Sequence, residues 1–240
     1  MMARMERLTT WLKCAVCAAL VALACLTHAR ADDLDEFNRS VEAAMSHRRA
    51  AAEYLRTGNI EAATREIDAF REAWAKIGTL PRPAAFHDQE RYTSTILQVA
   101  AQLLGVSLVL NLGRADVARE TLDKIRRMLS DLRRENGVMV LADCVLEANI
   151  AMEALFATGR GPDWDSAAAG GDSYAATLRR CDGIAPRAIH DHPEFRRLID
   201  GALGRIAQFS KAVDTRDADL LQRVMMELRS LDDQLALHYG

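Results

Sequence analysis

Apolar residues recur along most of this chain at alternating steps of three and four. In "NIEAATREIDAFREAWAKIG", Ile60, Ala63, Ile67, Phe70, Trp74 and Ile77 follow one another at steps of 3, 4, 3, 4 and 3. That spacing draws one apolar stripe down a helix of 3.6 residues per turn. Asn59 is placed to cap the start, Gly78 to take a left-handed conformation at the end, and "TLPRP" to stop the helix.

The same grammar predicts further helices. Leu34, Phe37, Val41, Met45, Ala52 and Leu55 mark a first one ending at Gly58. A third runs from about Ala84 to Leu112, with Ile96, Val99, Leu103 and Leu110 inward. Ala118, Leu122, Ile125, Leu129 and Leu132 mark a fourth, which stops at Asn136-Gly137, and a fifth spans about Val138 to Ala157. Beyond "TGRGPDWDSAAAGGD" the pattern gives a short helix near Ser173 to Cys181, one from about Pro193 to Val213, and a last from about Arg216 to Tyr239. No stretch alternates with period two over a useful length. The expectation is an all-α protein of about eight helices, packed as antiparallel up-and-down hairpins in one or two four-helix-bundle units.

The helices fall into four before Gly137 and four after it. Composition suggests a finer division: a bundle over 32–158, a glycine-rich linker over 159–172 and a C-terminal helical segment over 173–240. An internal echo supports duplicated hairpins, since "LRTGNIEAATREIDAFREAW" overlays "LNLGRADVARETLDKIRRML" 55 residues later, with Gly58 on Gly113 and Asp68 on Asp123. That period does not fit the tetratricopeptide unit.

The N-terminus changes the picture of where the chain resides. Arg4, Arg7 and Lys13 precede the apolar run Cys14 to Leu26, and Ala29 and Ala31 stand where a signal peptidase reads small residues. The run is shorter than the roughly 20 apolar residues a membrane span needs. No later segment is expected to reach that length without charge. Residues 1–31 therefore read as a cleavable signal peptide, and the mature chain as periplasmic. Lipidation at Cys25 is the alternative, against a preceding "ALA" that fits a lipobox poorly.

Removal of residues 1–31 takes four basic residues and one acidic one, moving the formal net charge from −3 to −6. The Arg-Arg pairs are spread among acids and read as solvated helix faces, so no nucleic-acid partner is expected. Two cysteines remain, Cys144 and Cys181. An oxidising compartment permits a disulfide between them, and two separate buried thiols are the other reading.

Candidate chemistry is sparse. "AIHDHPEF" carries His190 and His192, which in extended chain point the same way and could chelate copper or zinc, with His87 of "AFHDQE" as a third ligand. A helix start explains most of the same residues: Asp191 as the cap, Pro193 in the first turn, and Glu194 completing a capping-box-like pair. His47 stands beside two arginines, and His238 suits the dipole at the end of the last helix. The methionines and the aspartate pair at 232–233 read as core filling and solvated surface respectively. No nucleophile elbow, P-loop, H-E-x-x-H or G-x-G-x-x-G occurs, which names no enzyme.

"SDLRRENGVMVLADCVLEANIAMEAL", Ser130 to Leu155, resembles the C-terminal portion of exported cytochrome c′ and c-556-type four-helix bundles, the likeness extending over about 34–156. It implies an exported bundle. Cys144 is followed by Val145, Leu146, Glu147 and Ala148, without the C-x-x-C-H attachment, so no covalent haem and no redox role carry over. The expectation is a protein without catalysis of its own, an interaction or ligand-binding module for an envelope protein or small ligand. Leu97, Leu104 and Leu108, beside the main stripe of the third helix, point to it. Metal handling through the His190/His192 segment is the alternative.

Overall fold

The computed structural model describes residues 33–158 and 163–240. The segment expected to be a signal peptide (residues 1–31, with Cys25) and residues 159–162 lie outside them. Among the described residues there are nine helices and no strand, an all-α architecture. In chain order these are α1 (33–56), α2 (Ile60–Ile77), α3 (Gln89–Asn111), α4 (Ala115–Glu135), α5 (Leu141–Thr158), α6 (Trp164–Ile184), α7 (Arg187–His190), α8 (Pro193–Thr215) and α9 (Ala218–Tyr239).

The chain folds as two compact units that divide between Leu132 and Arg133, near the end of α4. In the first, the stripes read from sequence close on a single core. It takes Phe37, Val41 and Met45 from α1, Ile67, Phe70 and Trp74 from α2, Val99, Leu103 and Val106 from α3, and Leu122, Ile125 and Leu129 from α4. Ile60, at the head of the α2 stripe, stands outside that core and is exposed. Trp74 needs a partner for its indole N–H, and donates to the carbonyl of Ile96 at 3.1 Å.

The hairpin echo is visible in the turns. Gly58 and Gly113 are both left-handed, at φ 78° and 73°. The residue after each donates five residues back, Asn59 to Tyr54 at 2.8 Å and Arg114 to Val109 at 2.9 Å. This is a Schellman closure, which needs positive φ at the glycine. Gly137 repeats it. Gly78 does not. Its φ is −61°, because the chain continues through one more tight turn before Pro81.

In the second unit α5 packs on α6 and α9, and α8 on α6 and α9. Its core joins Val145, Met152, Tyr174, Leu178, Phe195, Ile199, Phe209, Val224 and Leu228.

Several expectations are corrected. The third helix starts at Gln89, not near Ala84, because Asp88 caps it by accepting from the Arg91 N–H at 2.9 Å, and residues 81–83, with their two prolines, are not helical. The glycine-rich stretch is not a linker over 164–172, where it forms the first turns of α6. Asp163 caps that helix by accepting from the Ser166 N–H. Glycine serves there as a contact surface. A Cβ at Gly171 would lie 2.6 Å from the Phe209 ring, and one at Gly170 would lie 2.9 Å from Leu155 Cδ1.

Arginine pairs are not uniformly solvated either. Arg48, Arg126 and Arg133 are buried. Burial and the neighbouring Arg126 push the Arg48 guanidinium down to about 9. Asp232 is buried as well, while Met139 and Met226 are exposed.

Candidate functional site

The His-Asp-His segment turns two helices in succession. Arg187 to His190 make the single turn of α7, and Asp191 closes it instead of opening α8. The cap of α8 is His192. Its backbone is extended, and its Nδ1 accepts from the Glu194 N–H at 3.3 Å. Pro193 follows at the first helical position, where its missing N–H leaves nothing unsatisfied. An accepting Nδ1 requires the tautomer protonated at Nε2.

His190 is held between carboxylates. Its Nδ1 lies 2.8 Å from Asp191 and its Nε2 lies 3.5 Å from Asp182 on α6, which Arg196 of α8 also engages. The His190 contact holds the Asp191 carboxyl below the usual carboxylate range. This arrangement clasps α6, α7 and α8.

His192 and His238 line one cleft together with Ala188, Ile189, Glu194 and Tyr239. His238 Nε2 lies 4.0 Å from Glu194. Glu194 is held below its ordinary range, chiefly by the Arg197 guanidinium that donates to it, with help from both histidines. Tyr239 stacks edge-on against Phe195 at 5.1 Å, and burial then Glu194 push its phenol up. Among the described residues no group of three or more His, Cys, Asp or Glu side chains is placed to hold a metal ion. The expected set of His87, His190 and His192 is therefore not assembled. The reason is local: the imidazoles are spent on carboxylates and a helix cap.

Cys144 of α5 and Cys181 of α6 stand at disulfide distance with Cα atoms 5.4 Å apart, within bridging range. Cys144 thus belongs to the core of the second unit.

The other feature lies on α3. Its inner face supplies Tyr92, Ile96, Val99, Leu103, Val106 and Leu110 to the first core. Its outer face is apolar too, and open: Leu97, Leu104, Leu108 and Leu112 are 64%, 61%, 61% and 69% exposed. Ala101 continues the stripe, and a shallow depression runs beside Thr93, Leu97, Gln98 and Ala101. From Tyr92 to Gly113 no residue is charged. By length and composition α3 is apolar enough to cross a membrane, although a third of the relevant window is buried in the fold. The expectation that no later segment reaches that length without charge fails here. The inner stripe and the leucines beside it together leave apolar residues on both sides of α3.

No family model, curated protein or solved structure matches this chain.

Proposed function

We propose that this chain is an exported, non-catalytic binding module that engages an envelope protein or small apolar ligand through the outer face of α3. One observation carries the reading: Leu97, Leu104, Leu108 and Leu112 form a contiguous exposed stripe on a helix whose other side is already in the core. Single exposed leucines are ordinary, but four along one face, with Ala101 on the turn between Leu97 and Leu104 and no charge among them, are what interaction surfaces show. Helix-face recognition with anchors at such spacing is a common docking mode.

Support for export comes from the basic N-terminus, its apolar run and the Ala29/Ala31 pair, with lipidation at Cys25 as the alternative route. A disulfide between Cys144 and Cys181 agrees with an oxidising compartment. The resemblance to cytochrome c′-type bundles adds the architecture of an exported bundle and no haem chemistry.

Affinity capture from envelope extract tests the reading. The chain with Leu97, Leu104 and Leu108 all changed to serine should lose the partner that the unaltered chain retains, with the same circular dichroism. Equal capture by both removes α3 as the binding face.

A further inference from the structure

The two histidines of the His-Asp-His turn answer a proton in opposite ways. A ring nitrogen accepts a hydrogen bond only while it carries no proton, and only the imidazolium donates from both nitrogens. His192 Nδ1 accepts from the Glu194 N–H at 3.3 Å, so the cap of α8 exists with a neutral ring. A cation at that place also opposes the positive end of the helix dipole. His190 has a carboxylate on each side, Asp191 at 2.8 Å from Nδ1 and Asp182 at 3.5 Å from Nε2. Only its charged ring can donate to both.

The surroundings of His192 sharpen the contrast. On α8 it faces Glu194, which already takes two hydrogen bonds from Arg197, at 3.0 and 2.7 Å. On α9 it faces His238 and Tyr239 in the same cleft. Its neighbour Asp191 is engaged by His190 and by Arg187 of α7 at 3.5 Å, and feels the Arg196 guanidinium of α8. His238 stands in the last turn of α9, where the dipole suits its charged form. Among the described residues lining the cleft, Glu194 is the one carboxylate. Two imidazolium rings there share a single negative group that an arginine holds already. The contact they strain is the edge-on packing of Tyr239 against Phe195 at 5.1 Å, which ties the end of α9 to the start of α8.

We infer that the start of α8 is a pH-sensitive latch. Protonating His192 removes the cap, sets the ring against His238 and releases the last turn of α9 from Phe195. Protonating His190 instead holds α7 to α6. The cap is therefore present while its ring is neutral and lost in acid, and the clasp runs the other way. Imidazoles that change charge in mildly acid solution are the usual elements of such switches. The latch lies wholly within the second unit and is independent of the outer face of α3.

Urea unfolding of the full chain at pH 8 and pH 5, on either side of the ordinary imidazole range, tests the latch against His192→Asn and His190→Asn. Asparagine caps a helix at both pH values. Relative to His192→Asn, the unaltered chain should lose about fivefold in its folding constant between pH 8 and pH 5, the worth of one cap. Relative to His190→Asn it should gain over the same interval. The ring-current shift that Phe195 imposes on Tyr239 should shrink at pH 5 in the unaltered chain and persist in His192→Asn.

A difference from His192→Asn that does not vary with pH overturns the latch, as do two trends of the same sign. Imidazole nitrogen shifts give a check that needs no variant. At pH 8 His192 should carry its proton on Nε2, and a proton on Nδ1 there overturns the latch by itself.

Discussion

Tyr174 donates its phenolic hydrogen to Asp232 across 3.0 Å in the core of the second unit, joining α6 to α9. Asn149 of α5 donates to the other carboxylate oxygen at 2.8 Å. Three helices thus meet at one buried carboxylate, 1% exposed. Such a network fixes which helix faces meet, because any other register strands a charge.

Removing the phenol should be costly. Tyr174→Phe leaves Asp232 short of one charged hydrogen bond, an expected loss of about 1.5–3 kcal/mol in urea unfolding.

The same pair predicts alkaline sensitivity. Burial, then the nearby Asp232, raises the Tyr174 phenol above its ordinary value. The folded chain therefore keeps a proton that the unfolded chain releases near pH 10. Its contribution is complete below that pH and disappears as pH rises further. Absorbance at the tyrosinate band should show Tyr174 ionising only with unfolding, and Tyr174→Phe should flatten the decline in stability above pH 10.

Joining Cys144 to Cys181 closes a loop of 37 residues. Loop-closure entropy for that length is worth about 3.5–4 kcal/mol. Reduction should lower the thermal midpoint accordingly, and Cys144→Ala should make it insensitive to reductant. Intact mass of the untreated chain should be two hydrogens lighter than that of the reduced one.

His192 should behave as a cap in stability measurements. His192→Ala is expected to cost about 1 kcal/mol, and His192→Asp should recover it, since a carboxylate accepts from the same N–H groups and suits the helix N-terminus. A metal-ligand role predicts the opposite for binding, with aspartate failing to restore it.

Gly171 tests the nature of the glycine-rich segment. Gly171→Ala puts a methyl group into the Phe209 ring, and overpacking of that kind costs roughly 1–3 kcal/mol. A true linker would tolerate it without change.

Arg133 and Asp143 make two parallel hydrogen bonds of 2.6 Å, both side chains buried, across the turn at Gly137. Asp143→Ala should cost about 3–5 kcal/mol by stranding the guanidinium. Arg133→Met combined with Asp143→Leu should recover most of it.

Periodicity by itself determined the helices, their inward stripes and the all-α class, because a 3.6-residue repeat of apolar side chains is a one-dimensional property of the chain. Gly58, Gly113 and Gly137 were legible as helix ends for the same local reason: only glycine takes positive φ cheaply. Asp232 was within reach, since it follows Met225 and Leu228 at core spacing, yet its charge argued for solvent. What only tertiary structure decided is pairwise. A carboxylate is buried when Tyr174 and Asn149 arrive from other helices, and glycines become contact surface when Phe209 and Leu155 close on them. His192 is the cap, and not Asp191, because α7 intervenes and Asp191 closes it. Leu97, Leu104 and Leu108 stood out in the sequence as lying beside the main stripe of α3, but that they stay exposed follows from which face of α3 the first core takes. Sequence spacing states which residues share a face, but which faces are covered depends on neighbours distant in the chain.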